Sequence, residues 1–320
     1  MKTVVYHSYG GPDVLKIEEI EKPNPKEDEI LVKVYASSLN IVQWYTMTGL
    51  FLARIGNGLL RPKDIRLGSD FAGVVEAVGK NVSDFKRGDE VFGGADGAWA
   101  EYVTEDRAIA SKPADITFEQ AAAVPTAGLT ALQGLRDYGK IQPGQKVLIN
   151  GASGAVGTFA VPIAKAFGAE VTAVCSSQNV DRARSLGADH VVDYTKADFT
   201  RSGQQYDLLF DVAGSRSWFA CRRVLKPDAA VVLVGGPRTP LIGPLSHIIG
   251  MRLASLGSKR KVVFFVAKFK REDLLVLKDL LETGKLKPFV ERTYPLTQVA
   301  EAMRYLGTGH VQGKLVIRMR

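Results

Sequence analysis

The residues best suited to chemistry lie in the run Gly151-Ala152-Ser153-Gly154-Ala155-Val156-Gly157. The run follows five residues that are apolar on both faces, 146–150, and opens a segment read as a helix, 155–167. Amide hydrogens in the first turn of a helix have no partner within the helix. Together with the positive end of the helix dipole they attract an anion to the helix start. Each glycine has its own task at this spacing: Gly151 permits the tight turn, Gly154 lets a pyrophosphate approach the backbone, and Gly157 lets the helix lie close on the sheet. A glycine triplet between a buried strand and a helix predicts a dinucleotide site. Pro162 sits awkwardly inside that helix, where the missing N–H should kink it at a cost of about 3 kcal/mol.

The choice between NAD and NADP is made at the end of the next strand, where an acidic residue would bind the ribose 2′-hydroxyl and repel a 2′-phosphate. The segment there reads Cys175-Ser176-Ser177-Gln178-Asn179, with Arg182 and Arg184 close behind. The hydroxyls of Ser176 and Ser177 and the cation of Arg182 suit a phosphate, so the expected cofactor is NADPH. Arg184 is read as part of a solvated helix face.

These residues need a scaffold, and the sequence pattern supplies one. Four runs apolar on both faces, 146–150, 170–175, 207–212 and 230–234, belong in a parallel sheet covered by helices on each side, a doubly wound α/β arrangement. Ahead of them, residues 3–6, 30–36, 72–78, 90–93 and 100–104 read as short strands separated by Gly and Pro, a small β-rich domain. Residues 118–123 and 128–136 read as helices. Beyond the sheet, Leu274, Leu277 and Leu281 mark one helical face and Gly284 a stop. A last helix, 298–306, and a strand, 314–318, are expected to return to the first domain.

At 320 residues the chain is long enough for two cores, and 46% hydrophobic with 24% charged residues is an ordinary globular composition. The greasiest stretch, 241–257, is interrupted by His247 and Arg252 and is too broken for a membrane span. Residues 1–7 lack the apolar core of a signal peptide, so a cytoplasmic location is expected. The net charge of +8 is dispersed, with only Lys259-Arg260-Lys261 and Arg318-Met319-Arg320 dense. Both patches are read as solvated faces, which argues against a nucleic-acid partner. Cys175 and Cys221 have apolar neighbours, which suggests buried thiols rather than a disulfide framework or a zinc site.

Further motifs run the length of the chain: Gly10-Gly11-Pro12-Asp13-Val14-Leu15, Asn40, Gly68-Ser69-Asp70-Phe71-Ala72-Gly73-Val74-Val75, Gly88-Asp89-Glu90-Val91-Phe92-Gly93, Ala123-Val124-Pro125-Thr126-Ala127-Gly128-Leu129-Thr130-Ala131 and Leu186-Gly187-Ala188-Asp189-His190-Val191-Val192-Asp193-Tyr194. With these, the sequence resembles the zinc-free quinone oxidoreductase branch of the medium-chain dehydrogenase/reductase superfamily. The resemblance implies a GroES-like β-rich catalytic domain (1–123, completed by 266–320), a Rossmann domain (124–265) and a cofactor in the cleft between them. It implies that Ser153, Ala155, Val156, Ser176 and Tyr194 hold the dinucleotide, that Thr126 and Asn40 lie near the nicotinamide, and that Gly235 and Gly236 border the pocket. The tail Gly309-His310-Val311-Gln312-Gly313-Lys314 matches a segment that closes over the cofactor in some relatives, although Gln312 replaces a frequent Arg. Zinc relatives carry Cys at the position of Asn40, a His-Glu pair at Ser69-Asp70 and a four-cysteine lobe before Gly97. Amide and hydroxyl groups are poor zinc donors, so no metal is expected.

Without a Lewis acid, hydrogen bonds must polarise the substrate. That suits hydride transfer to the β-carbon of a hydrophobic enone or to a quinone better than alcohol oxidation. Asn40 is the candidate orienting donor and Tyr45 the candidate donor or proton source, with Trp44 as pocket wall. Phe51, Leu52, Phe264 and Phe265 are expected to form an apolar acceptor pocket. A homodimer is expected, paired through the strand before Gly235. The alternative is an NADPH-binding redox sensor or partner-binding protein with little turnover.

Overall fold

The computed structural model describes residues 1–106, 108–237 and 244–319. Arg320 and the start of the stretch 241–257 lie outside the described residues. The chain divides into two compact units, Met1–Leu129 with Lys268–Arg320, and Thr130–Ala267. Residues 124–129, assigned from the sequence to the second domain, fall in the first unit.

The first unit is built on a seven-stranded sheet. Along it run Val290–Pro295, Lys314–Arg318, Ile30–Ser38, Asp70–Val78, Glu90–Gly94 and Ile109–Ser111, with Tyr102–Glu105 also paired to Ile30–Ser38. Lys2–Tyr6 and Leu15–Glu19 form a separate antiparallel pair. The late strand Lys314–Arg318 lies between Val290–Pro295 and Ile30–Ser38 and pairs Val316 with Ser38. Alternate residues such as Val32, Val34, Phe71 and Ile317 face a core that also takes in Trp99 and Met303. On the neighbouring strand, Ser38 stands opposite Asp70. Asp is depleted in strands, which is why the sequence reading begins this strand at Ala72. Asp70 belongs to it because its side chain is satisfied inside the unit.

The second unit carries a parallel sheet of six strands. Their order is His190–Asp193, Glu170–Cys175, Lys146–Asn150, Tyr206–Asp211, Leu225–Leu233 and Lys261–Phe264. Numbered along the chain, this is the order 3-2-1-4-5-6 of a doubly wound nucleotide-binding fold. Its switch point lies between Lys146–Asn150 and Tyr206–Asp211. The strand before Gly235 is therefore interior, flanked on its outer side by Lys261–Phe264. This corrects the expectation that a second copy could pair with it. Helix Gly157–Ala166 continues through buried Pro162, two residues shorter at its start than the sequence suggests.

Candidate active site

The glycine-rich turn leaves strand Lys146–Asn150 beside the switch point, the place where doubly wound sheets receive ligands. Gly151 has φ 91°, in the left-handed region that favours glycine. A Cβ at Gly157 would lie 2.1 Å from the Gly151 carbonyl oxygen, so glycine is what lets helix and turn touch. At Gly154 a Cβ would meet nothing nearer than 3.6 Å, so the turn is open on that side. The amides of Gly151 and Ala152 donate to the Val174 carbonyl and that of Gly154 to Gly151. Among the described residues, the amides of Ser153, Ala155 and Val156 donate to no protein acceptor. This is a cradle for an anion, and it fits the pyrophosphate of a dinucleotide.

Buried groups hold the strand ends around it. Asn150 donates to Asp211 at 2.7 Å and to Ser215, Gly214 N–H donates to Asp211 at 2.9 Å, and the His247 ring lies 3.3 Å from its other oxygen. Gly235 and Gly236 are constrained by packing. A Cβ on the first would lie 2.4 Å from the Val212 carbonyl and one on the second 3.1 Å from Pro244.

Where the sequence places the adenosine end, Ser176 follows strand Glu170–Cys175 and accepts from Asn179, to which Arg182 also donates. Tyr194 is 53% exposed at the end of the next strand. An acid whose contact with Ser177 has no signal in the sequence stands here: Asp193 pairs with Cys175 across the sheet and accepts from Ser177 at 2.5 Å and from Thr195. These two hydroxyls hold its carboxyl down at about 2. The proton of Ser177 is committed to this carboxylate, which corrects the expectation that its hydroxyl is free for a phosphate. Burial pushes the Cys175 thiol up to about 11 and the Cys221 thiol to about 12, so neither is a nucleophile near neutral pH.

In the first unit, Asn40, Ser69 and Thr126 come together around a carboxylate and an ammonium that are both fully buried, Asp70 and Lys314. One oxygen of Asp70 accepts from the Thr126 amide (3.0 Å) and hydroxyl (2.5 Å). The other accepts from Ser38 (2.6 Å), Asn40 (2.8 Å) and Lys314 (3.5 Å). The Asn40 carbonyl oxygen and the Leu39 backbone carbonyl accept from Lys314. Desolvation pulls the Lys314 ammonium below its ordinary value, against the pull of Asp70. The Asn40 amide nitrogen also donates to Ser69, and Gln43 donates to Ser69 while its carbonyl accepts from the Asn40 backbone. Both amide hydrogens of Asn40 are thus committed inside the protein, which corrects its expected role as a free donor to substrate. Lys314, the last residue of the segment expected to close over the cofactor, is fully buried against Asp70. Tyr45 is half-buried on helix Ile41–Thr48.

His310 is exposed, Val311 packs on the core of this unit, and Gln312 donates its backbone N–H to Glu291 at 2.6 Å. Phe51 and Leu52 are exposed on helix Phe51–Asn57, whereas Phe264 packs on the core of the second unit and Phe265 stacks on Tyr138 with ring centroids 4.4 Å apart. The expected four-residue apolar pocket is formed within neither unit.

A family model described as an alcohol dehydrogenase GroES-like domain matches residues 26–115, and one described as a zinc-binding dehydrogenase matches residues 186–317. A chloroplastic quinone oxidoreductase from Triphysaria versicolor is 33% identical over 99% of this chain and 98% of its own length. A chloroplastic NADPH-dependent alkenal/one oxidoreductase from Arabidopsis thaliana is 36% identical over 99% of this chain and 79% of its own. The solved Escherichia coli quinone oxidoreductase complexed with NADPH superposes with a TM-score of 0.84 at 27% identity, covering 99% of this chain and all of the other.

A GroES-like domain joined to a doubly wound dinucleotide fold defines a medium-chain dehydrogenase/reductase. The chain belongs to this superfamily, in its quinone oxidoreductase branch. The zinc named in one family description does not fit the donors of this chain. Asn40 and Ser69 are neutral and already hydrogen-bonded, and the charge of Asp70 is balanced by Lys314. Among the described residues no three His, Cys, Asp or Glu side chains are grouped to hold a metal, and no helix is long and apolar enough to cross a membrane.

Proposed function

We propose that this oxidoreductase uses NADPH, without zinc, to deliver hydride to a quinone or an α,β-unsaturated carbonyl. The observation that carries this reading is the set of amides without a protein acceptor at Ser153, Ala155 and Val156, beside the switch point of the sheet. NADPH, when bound, supplies the hydride. The turn from Gly151 to Gly157 holds its pyrophosphate, Ser176, Arg182 and Tyr194 take the 2′-phosphate end, and Gly235 and Gly236 border the pocket. In the first unit, Asn40 is a positioning residue that fixes Ser69 and Thr126, and Tyr45 is the donor to the substrate carbonyl or the proton source. Val311 and Gln312, with His310, form the covering segment. The apolar acceptor is an electron-poor one because hydrogen bonds alone must polarise it. Two copies would pair along the outer edge of strand Lys261–Phe264, which ends the described sheet.

The test is a turnover screen of NADPH and NADH against quinones, enones, aldehydes and alcohols on protein of measured metal content. The expected result is NADPH consumption with quinones or enones on metal-free protein. Alcohol oxidation that requires added zinc would overturn the mechanism. A second reading, an NADPH-binding redox sensor, is favoured by the closed network around Asp70, which leaves Asn40 no spare donor. Tight NADPH binding with no turnover across the whole panel is its signature.

Cofactor choice gives a sharper expectation. Ser176→Asp places a carboxylate at the end of strand Glu170–Cys175, where it repels a 2′-phosphate and can bind a 2′-hydroxyl. It is expected to lower kcat/KM for NADPH about 100-fold and leave NADH unchanged or improved. Unchanged NADPH kinetics would remove Ser176 from the 2′-phosphate site.

A further inference from the structure

The patch Lys259-Arg260-Lys261 is not the plain solvated face that the sequence suggests. Arg260 is half-buried, one of its terminal nitrogens donates to the Leu225 carbonyl at 2.6 Å, and its Nε is buried with no hydrogen-bond partner. Beside it lies a cavity of about 370 Å³, within the range of small-molecule sites. Trp218, Arg222, Pro227, Leu256, Lys259 and Arg260 line it. Three of these are cations and none is an acid. Among the described residues Arg222, Lys259 and Arg260 have no carboxylate partner, and the Arg222 guanidinium lies over the Phe219 ring at 5.3 Å.

The cavity is remote in kind from the dinucleotide turn. All six strands of this sheet run parallel, and the glycine-rich turn leaves the carboxyl end of one of them. Pro227 stands near the beginning of strand Leu225–Leu233 and Arg260 immediately before strand Lys261–Phe264. The cavity therefore opens at the amino ends of the strands, opposite the glycine-rich turn.

We propose that this cavity is a second anion site that binds a phosphate group. Two guanidinium forks can give paired donors to phosphate oxygens, with the Lys259 ammonium adding the charge to balance a dianion. The phosphate comes either on a small soluble molecule or on a phospholipid headgroup. Leu256, 77% exposed at the lining, and Leu253, 61% exposed, would suit the latter.

The double variant R222A/K259A tests the site and spares Arg260, whose bond to Leu225 serves the fold. Equilibrium dialysis with labelled inorganic phosphate, at fixed ionic strength, is expected to give saturable binding to the wild-type protein. The variant should bind about tenfold more weakly or worse, with NADPH affinity unchanged. Sedimentation with phosphatidylcholine vesicles, with and without phosphatidic acid, separates the two sources. Binding only to phosphatidic-acid vesicles, lost in the variant, assigns a headgroup site, and binding of free phosphate alone assigns a soluble ligand. Phosphate binding equal in wild type and variant places the ion at another site and overturns the proposal. So does the absence of saturable binding in both arms.

Discussion

Gly154→Val is expected to weaken NADPH binding by at least about 100-fold while leaving the fold intact. The backbone at this residue is not in the left-handed region, and a Cβ there has open space around it. The added side chain costs the folded protein little. It does fill the volume that the amides of Ser153, Ala155 and Val156 border, where the pyrophosphate must come within hydrogen-bond distance. Fluorescence titration with NADPH reads the affinity, and thermal unfolding without cofactor reads the fold. The neighbouring case separates the roles of the glycines. Gly157→Ala forces a Cβ to within 2.1 Å of a carbonyl oxygen and should lower Tm even without cofactor. If Gly154→Val binds NADPH as the wild type does, the turn is not the phosphate site.

Asp70→Ala is expected to destabilise the first unit by about 3–5 kcal/mol, because it leaves the Lys314 ammonium buried without its counter-ion. Asp70→Ala combined with Lys314→Met should cost much less than the sum of the two single changes. A double-mutant cycle from urea unfolding measures that difference. The pH dependence has a definite sign. Desolvation places the folded-state pKa of Lys314 below its unfolded value of 10.5, and removing Asp70 lowers it further. The folded variant then binds fewer protons than the unfolded chain, so its stability rises with pH until the unfolded lysine has also titrated. Equal destabilisation by the single and double changes would mean that the charge pair is not what holds Asn40 and Thr126.

How far the sequence reveals this site depends on the distance over which each interaction acts. Strands Lys146–Asn150 and Glu170–Cys175 are legible to the residue, because both their faces are buried and the pattern is continuous. Strands His190–Asp193 and Lys261–Phe264 at the two ends of the same sheet escape it. They are four residues long, half-exposed and each begins with a polar residue, so they lack any period. Helix Ile41–Thr48 had a readable signal, Asn40 followed three residues later by Gln43, the pair that caps it. Asp193 is adjacent to Ser177 only through the cross-strand pairing with Cys175, and Lys314 reaches Asp70 across 244 residues. Neither partnership has a local signature.

The place of strand Lys314–Arg318, inside its sheet rather than at an edge, also bears on biosynthesis. As a ribosome makes the chain from the amino end, the carboxylate of Asp70 is translated 244 residues before its cation. All of the parallel sheet emerges in the interval. The first unit therefore closes only after strand Lys314–Arg318 has been made, with the parallel sheet free to fold ahead of it.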